Sequence, residues 1–417
     1  MTRTTSLDGA TIAVVGGGII GASAAARLQL AGAAITLIDP GDERARASFG
    51  NAGLIANELA EPLSSWSTAR IAPQRLFAVG GPLDVVWRDI GVWGPWARRY
   101  LAACRQERFR AGAQALTALL IDAAPAWRRL VDEVGRSELL EDTAHWALWE
   151  DAAMLSRGVA AAKASAGPAV RVRDLAAHET AAVQRELSPR FAGGVAFEGS
   201  AKVTDPAEVV RALHHRIRDA GGEIVSGQAR RLTTNDREAV VDLDDGRRIS
   251  ADLALVAAGA RSAPLVRSVG LIAPLIAERG YHLEYAEHDL AAGVPPVVLE
   301  DRFICVVRIG DAVRITGFTE LGATGSPPDP RKWARLRSHV AELGLPVRGE
   351  PSQWMGERPT LPDFVPAIGR WGRLLYAFGH QHIGVTVAAV TAEAVVELAE
   401  HGGTPERLRP YDLRRFS

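Results

Sequence analysis

The N-terminal hydrophobic pattern predicts a strand, a helix and a second strand in close succession. An apolar run at 12–15 is followed by glycines, an alanine-rich stretch and a second apolar run that ends in Asp39. Continuous apolar runs of this length are typical of strands buried on both faces of a parallel sheet. Gly16, Gly18 and Gly21 stand at the first turn, where glycine permits a tight bend and close approach of a phosphate. The pattern predicts a βαβ unit that binds a dinucleotide pyrophosphate, with Asp39 at the ribose. A glycine-rich turn without a ligand is the alternative.

Later apolar runs predict that this sheet is resumed after a long insertion. Asp205 followed by Pro206 predicts a helix start, and the turn at 221–222 leads into a predicted strand. The run from Ala251 to Gly259 is apolar nearly throughout, which suits another buried parallel strand. Further strands are predicted at 145–149, 194–197, 314–319 and 374–378, and further helices from 330 and over 384–400.

The region from Leu83 to Val134 has a helical pattern without clear strands. Seven of the ten tryptophans lie between residues 60 and 150. This clustering predicts a separate helical cap with its own core, because buried helix packing is the usual role of such residues. The alternative is a stripe of aromatic side chains that faces a membrane.

The order of these elements predicts two interleaved domains, as expected for a chain of 417 residues. The nucleotide-binding domain is predicted to comprise residues 1–65, 151–185, 202–268 and 352–417. The substrate or cap domain is predicted to comprise residues 66–150, 186–201 and 269–351.

Composition excludes several classes of function. The formal charge is -1, with 48 basic and 49 acidic residues, so nothing in the net charge attracts nucleic acid. Two cysteines, Cys104 and Cys305, are too few for a disulfide framework and suit a reducing cytoplasm. The first eight residues lack an apolar signal segment. We therefore expect a cytoplasmic protein, or one that is peripheral to the inner membrane.

Several motifs in the right order resemble the D-amino acid oxidase superfamily. They are the Gly-x-Gly-x-x-Gly turn, the strand ending at Gly259, and the C-terminal turn 379–384, GHQHIG. The segments 48–53, SFGNAG, and 356–363, GERPTLPD, are similar to those of bacterial D-amino acid dehydrogenases. The His-Gln-His form of the C-terminal turn is most similar to dehydrogenases of hydroxy-D-proline. The resemblance covers essentially the whole chain.

This resemblance implies an α/β fold in which a Rossmann-like FAD-binding domain is interleaved with an α+β substrate domain. It also implies that FAD is the cofactor. The residues implied to bind FAD follow the family's motifs along the chain, and Arg230 departs from the small apolar residue usual at its position. They are Gly16, Gly18, Ile19, Ile20, Gly21, Asp39, Pro40, Arg44, Ser48, Asn51, Ala52, Gly53, Arg230, Ala258, Gly259, Gly379, Ile383, Gly384, Val385 and Thr386.

The resemblance further implies that FAD is bound without a covalent link. Sarcosine oxidases attach the flavin through a cysteine near the position of Gly356, where this chain has no thiol. No metal is expected, since His380 and His382 are two residues apart and lack a third ligand in the sequence nearby.

Oxidation of an amino acid at Cα mainly requires that the substrate is oriented. Arg358 fits a substrate carboxylate because its planar guanidinium can bind both oxygens, although a structural ion pair is the alternative. Tyr281 is implied to donate its hydroxyl to the same carboxylate, with a half-buried structural role equally open. His380, His382 and, with weaker support, His282 are candidates to contact the flavin or the substrate amine.

The resulting hypothesis is an FAD-dependent dehydrogenase of a D-amino or imino acid such as D-proline or cis-4-hydroxy-D-proline. Electrons would pass to a quinone or to a partner subunit. One alternative is an oxidase of the sarcosine or glycine type, which makes peroxide. Another is the flavin subunit of a multi-chain dehydrogenase, and a non-catalytic binding protein has little support.

Overall fold

The computed structural model describes residues 7–417. The helices of eight or more residues are α1 (Ile19–Leu30), α2 (Ile90–Ala103), α3 (Gln106–Leu120), α4 (Ala123–Glu133), α5 (Ala152–Ser165), α6 (Ala177–Glu186), α7 (Pro206–Asp219), α8 (Pro330–Leu343) and α9 (Gly384–His401). Two shorter α-helices span Trp66–Ile71 and Ser262–Arg267.

The strands lie between these helices, singly in some places and in consecutive runs in others. They are β1 (Thr11–Val15), β2 (Ala34–Asp39), β3 (Leu54–Ile55), β4 (Leu83–Val85), β5 (Leu140–Asp142), β6 (His145–Trp149), β7 (Arg171–Asp174), β8 (Gly193–Glu198), β9 (Ala201–Val203), β10 (Glu223–Ser226), β11 (Ala229–Thr234), β12 (Ala239–Leu243), β13 (Arg248–Ala251), β14 (Leu253–Val256), β15 (Ile276–Tyr285), β16 (Glu287–His288), β17 (Val297–Leu299), β18 (Ile304–Ile309), β19 (Ala312–Gly322), β20 (Val347–Arg348), β21 (Ser352–Thr360), β22 (Ala367–Trp371) and β23 (Leu374–Phe378).

The first domain is built on a six-stranded sheet in the order β10-β2-β1-β14-β23-β22. All neighbours are parallel except β22, which pairs antiparallel with β23. The predicted βαβ unit and the later return of the chain to this sheet are confirmed. Asp205 caps α7 by accepting a hydrogen bond from the amide of Ala207, as the Asp-Pro signal predicts.

Helix α9 lies at the centre of this domain and packs against α1 and α4. The segment Gln381–His401, which includes α9, is long and apolar enough to span a membrane, but 72% of its 18-residue apolar window is buried inside the protein. Trp127 of α4 is fully buried and donates a hydrogen bond to the carbonyl of Val385. The prediction of a separate tryptophan-rich cap is therefore wrong for α3 and α4, whose apolar faces complete the core of the first domain.

The second domain is built on a nine-stranded mixed sheet. Its order is β21-β15-β19-β18-β17-β6-β8-β7, and β4 pairs in parallel with β19. Helix α8 packs on β15 and β19, and α5 packs on β6, β7 and β8. The predicted boundaries are wrong in two places, because 151–185 and 352–360 contribute to this domain through β7 and β21. Smaller sheets are formed by β11-β12-β13, β3-β9-β5 and β16-β20.

Candidate active site

The glycine turn after β1 is shaped by backbone contacts inside the protein. Gly16 has φ +110°, and a Cβ placed on it would lie 2.4 Å from the carbonyl oxygen of Ala257. A Cβ on Gly21 would lie 1.8 Å from the carbonyl oxygen of Gly16. Gly18 differs, because the nearest atom to its Cβ would be the Ser48 hydroxyl at 3.9 Å. Gly16 and Gly21 therefore permit close packing, and Gly18 leaves open space beside the first turn of α1.

Asp39 is held at the end of β2 by three hydrogen bonds. Its carboxylate accepts from the Gly17 amide at 2.7 Å, the Gly41 amide at 2.8 Å and the Arg46 guanidinium at 2.7 Å. Burial opposes its ionisation, but Arg46 and the amides outweigh burial and lower the pKa of Asp39. The carboxylate is therefore ionised and fixed as a hydrogen-bond acceptor.

A groove of about 370 Å³, here called the nucleotide groove, runs along the carboxyl ends of these strands. The N-terminal ends of α1 and α9 both reach it through Gly18 and Gly384. Unpaired amides at helix N-termini favour anionic groups such as phosphates. The implied cofactor residues that line the groove are Gly16, Gly18, Ile19, Ile20, Asp39, Pro40, Ser48, Asn51, Ala258, Gly259, Gly384 and Val385.

Two arginines that the resemblance implied to contact FAD, Arg44 and Arg230, do not line the nucleotide groove. Arg44 is exposed and its guanidinium lies 5.4 Å from the centre of the Phe49 ring, whereas Arg46 lines the groove and was missed. Arg230 is exposed, whereas Ala229, one residue earlier, lines the groove. Strand alternation places neighbouring side chains on opposite faces, so an error of one residue reverses the assignment.

Like Gly21, five other implied residues do not line the groove. Gly53 and Gly379 adopt φ +74° and +79°, and Cβ atoms there would meet the Val203 carbonyl at 2.6 Å and Leu361 at 2.5 Å. Ile383 is buried. Gly53, Gly379 and Ile383 therefore shape the turns that carry neighbouring residues. Thr386 and Ala52 line a second cavity instead.

The loop 49–51 is fixed to the second domain by side chains from its sheet. Arg314 donates to the carbonyl of Asn51 at 2.6 Å and to that of Phe49 at 3.3 Å. His282 lies 3.0 Å from the carbonyl of Gly50 through Nδ1 and stacks on Trp354. Burial, with Arg314 second, lowers the pKa of His282 to about 3. His282 lines neither cavity, so it positions this loop as a neutral imidazole.

A second cavity of about 660 Å³ adjoins the nucleotide groove. Ala47, Asn51 and Arg358 line both spaces. The Arg358 side chain is 24% exposed, and its guanidinium donates to Glu278 at 3.2 Å and to the carbonyl of Phe318 at 3.3 Å. A Cβ on Gly280 would lie 2.1 Å from its Nη2, so glycine there makes room for the guanidinium. Arg358 thus takes part in a structural ion pair and also presents a cation where the two spaces meet.

Two predicted histidines lie on opposite sides of this junction. His380 lines the nucleotide groove and is 3.2 Å from the Thr391 hydroxyl through Nε2, while its buried Nδ1 has no partner among residues 7–417. His382 lines the second cavity. Burial lowers the pKa of His380 to about 3 and also lowers that of His382. Both imidazoles are therefore neutral near pH 7.

The assignment of Tyr281 to the substrate is wrong. Strand β15 turns this side chain away from both cavities, where it is buried and donates to Glu320 at 2.5 Å. Its neighbours are Trp333 and a network around the buried Lys332 ammonium. The carboxylates of Asp84, Glu320 and Asp329 come close enough together to suggest a metal site, but all three pair with Lys332.

The residues around the nucleotide groove fit FAD. The open space at Gly18, the two helix N-termini and the ionised Asp39 match a phosphate and ribose chain. At the other end, the unpartnered Nδ1 of His380 and the buried, unpartnered Oε1 of Gln381 are free to bond a polar ring. The second cavity opens beside that end, at Arg358.

Comparisons with known proteins agree with this geometry. A family described as FAD dependent oxidoreductase matches residues 11–398. A D-amino-acid oxidase of Bradyrhizobium diazoefficiens is 31% identical over 98% of this chain and 99% of its own. A D-amino acid dehydrogenase of Dechloromonas aromatica is 28% identical, over 96% and 99%.

Solved structures share the fold. The crystal structure of iminodiacetate oxidase from Chelativorans sp. BNC1 has a TM-score of 0.72 at 20% identity, and the match covers 96% of this chain and 98% of that one. Glycine oxidase from Geobacillus kaustophilus has a TM-score of 0.72 at 19% identity, over 97% and 98%. The chain therefore belongs to the family of FAD-dependent oxidoreductases.

Proposed function

We propose that this enzyme dehydrogenates a D-amino or imino acid at Cα, with Arg358 binding the substrate carboxylate. The observation that carries the proposal is the position of Arg358, whose guanidinium lines both the nucleotide groove and the second cavity. A cation there would hold a carboxylate with the adjacent Cα next to the flavin end of the groove. Bound FAD supplies the two-electron acceptor.

The neighbours of Arg358 prepare it for this role. Glu278 is buried, pairs with one guanidinium nitrogen and accepts a further hydrogen bond from Thr360 at 2.8 Å. Nη2 has no partner among residues 7–417 and lies against Gly280. A guanidinium held on one side by a buried acid and open on the other is oriented before the substrate arrives. His382, neutral and on the wall of the second cavity, can accept a hydrogen bond from the substrate amine.

The substrates we propose are D-proline or cis-4-hydroxy-D-proline, from the resemblance of the 379–384 turn. The D configuration is supported by the relatives named D-amino acid oxidase and D-amino acid dehydrogenase. A sarcosine or glycine oxidase has only the fold likeness as support.

Replacing Arg358 tests the proposal. Arg358→Lys keeps the charge but removes the planar fork, so KM for the D-amino acid is expected to rise by about 10- to 100-fold while the flavin spectrum stays unchanged. Steady-state kinetics with an artificial electron acceptor measures this. The matched control is Arg185→Lys at an exposed position of α6. An Arg358→Lys enzyme with an unchanged KM would show that the carboxylate binds elsewhere.

The pH dependence should follow the substrate and not the histidines. Burial lowers the pKa of His380 to about 3 and lowers that of His382 from its ordinary value, so we expect neither imidazole to contribute a step on the alkaline side of pH 7. The substrate amine must lose its proton before Cα is oxidised, so kcat/KM should rise with pH up to the amine pKa. Profiles for two substrates whose amine pKa values differ should be displaced by that difference. If the two pH profiles coincide, the rise in kcat/KM comes from the titration of an enzyme group and not of the substrate amine.

We further propose that FAD is not attached covalently. Cys305 lines the second cavity, but burial raises its pKa to about 12, so it stays a protonated, unreactive thiol. Acid precipitation of the purified enzyme should leave the yellow colour in the supernatant. Colour that stays with the pellet would contradict this assignment.

We propose that the electron acceptor is a membrane quinone, and that the enzyme binds the membrane surface to transfer electrons to it. The segment 63–101 carries exposed apolar side chains, among them Trp87 at 70% and Ile90 at 55% exposure. Exposed arginines surround them, whereas the acids between residues 63 and 110 are only Asp84, Asp89 and Glu107. Exposed apolar groups beside cationic ones favour the interface of an anionic bilayer. A partner subunit as acceptor remains the alternative.

Vesicle sedimentation measures this association. The enzyme should bind phosphatidylglycerol vesicles in low salt and phosphatidylcholine vesicles weakly, because the arginines add an electrostatic attraction. Trp87→Ser should weaken binding several-fold, whereas Trp371→Ser, at an exposed site outside the segment, should not. Enzyme that stays in the supernatant with both lipids would favour a partner subunit or a soluble acceptor.

A further inference from the structure

The second cavity holds two carboxylates that the proposed reaction does not use. Glu58 and Glu300 both line it, together with His145 and Arg75. Glu58 Oε1 lies 3.1 Å from His145 Nε2, but its Oε2 is buried and has no partner among residues 7–417. One oxygen of this carboxylate is therefore fixed by the protein and the other is left without a donor.

Glu300 also has a carboxylate without a partner among the described residues, but its side chain is only half-buried, so its oxygens are open to the cavity. Its backbone amide continues the sheet by donating to the carbonyl of Leu148, while its carboxylate makes no hydrogen bond or ion pair within the described part of the chain. Burial raises the pKa of Glu300, with the nearby Arg75 opposing the effect. Arg75 is exposed, and its guanidinium lies 4.7 Å from the centre of the Phe303 ring. It therefore does not form an ion pair with the Glu300 carboxylate.

Carboxylate oxygens without donors are costly to bury, since each loses its hydrogen bonds to water. When such oxygens line a cavity, a bound molecule with a hydrogen-bond donor at that place removes the cost. Arg358 supplies the opposite polarity on the same cavity, where a carboxylate is expected. The cavity thus presents a cation at Arg358 and unsatisfied acceptors at Glu58 and Glu300.

We propose that Glu58 and Glu300 form an acceptor subsite for a hydrogen-bond donor on the substrate side chain. This inference rests on the proposed function, because it takes Arg358 as the carboxylate site. Two kinds of side chain present such a donor, namely a hydroxyl, as in cis-4-hydroxy-D-proline, and a cationic group, as in D-lysine. His145 is a positioning residue that holds Glu58. The His145 ring is fixed by stacking on Phe197, with ring centres 4.6 Å apart, and by the Ser200 hydroxyl, 3.2 Å from its Nδ1.

Matched substrate pairs test the subsite. We expect cis-4-hydroxy-D-proline to be preferred over D-proline, or D-lysine over D-norleucine, by at least about 10-fold in the dissociation constant, since the members of each pair differ mainly in the donor. The dissociation constant is taken from the concentration dependence of anaerobic flavin bleaching. The pair that shows the larger preference identifies the hydroxyl or the cation as the natural donor.

Isosteric variants locate the effect. Glu58→Gln and Glu300→Gln should each weaken binding of the preferred, donor-bearing substrate by about 10-fold and change its donor-free analogue by less than about 2-fold. The control Glu61→Gln removes the same charge at an exposed position and should change neither. Glu58→Gln can still accept from His145, so the two variants together guard against a folding defect in one of them.

The outcomes separate the two proposals. Bleaching by both members of each pair with equal dissociation constants, or equal losses for both members in the variants, would overturn the subsite and leave the reaction standing. If no D-amino or imino acid bleaches the flavin, the proposed function fails and the subsite fails with it.

Discussion

The active-site architecture depends on the close backbone contact between the turn after β1 and the end of β14. Gly16 approaches Ala257 so closely that no side chain fits between them, and Gly21 packs on Gly16 in the same way. This contact fixes where α1 begins relative to the carboxyl edge of the sheet. Because β23 lies next to β14 and leads into α9, the second helix N-terminus reaches the same edge. Both electropositive helix ends therefore converge on one groove.

The second domain completes the site by fixing the loop that separates the two cavities. Arg314 and His282 bind three consecutive carbonyls of residues 49–51 from adjacent strands of one sheet. The same sheet carries Arg358 on β21, next to β15. The distance between the loop 49–51 and the Arg358 guanidinium is thus determined by strand pairing. A short hydrogen-bonded path of this kind restricts how far a substrate can move relative to the groove.

The sequence predicted local structure better than it predicted assembly. The turn at 16–21, the cap at Asp205 and the apolar helix after 384 depend on local periodicity and turn chemistry, and all were confirmed. Which sheet a strand joins depends on distant residues, so β7 and β21 were placed in the wrong domain. Trp127 was assigned to a cap because its partner, Val385, lies 258 residues away along the chain.

For the site residues too, the sequence predicted the segment but not the three-dimensional position of each side chain. Arg46 lies two residues from the predicted Arg44, and Ala229 lies one residue from Arg230, because a motif gives a segment and not the direction of each side chain. The face of Tyr281 depends on its place in β15, next to a register shift, which sequence spacing alone does not reveal. The sequence offered Arg358 as a carboxylate-binding residue or as one half of a structural ion pair, and its position between the two cavities and its pairing with Glu278 needed the three-dimensional structure.

We propose that a D-amino or imino acid bound at Arg358 reduces FAD in the adjoining groove. The decisive measurement is an anaerobic visible spectrum of the purified holoenzyme, recorded while enantiomer pairs of amino and imino acids are added. We expect the flavin absorbance to be bleached by the D member of at least one pair and not by its L member. If no D member bleaches the flavin, or if the L members bleach it equally, this proposal is wrong.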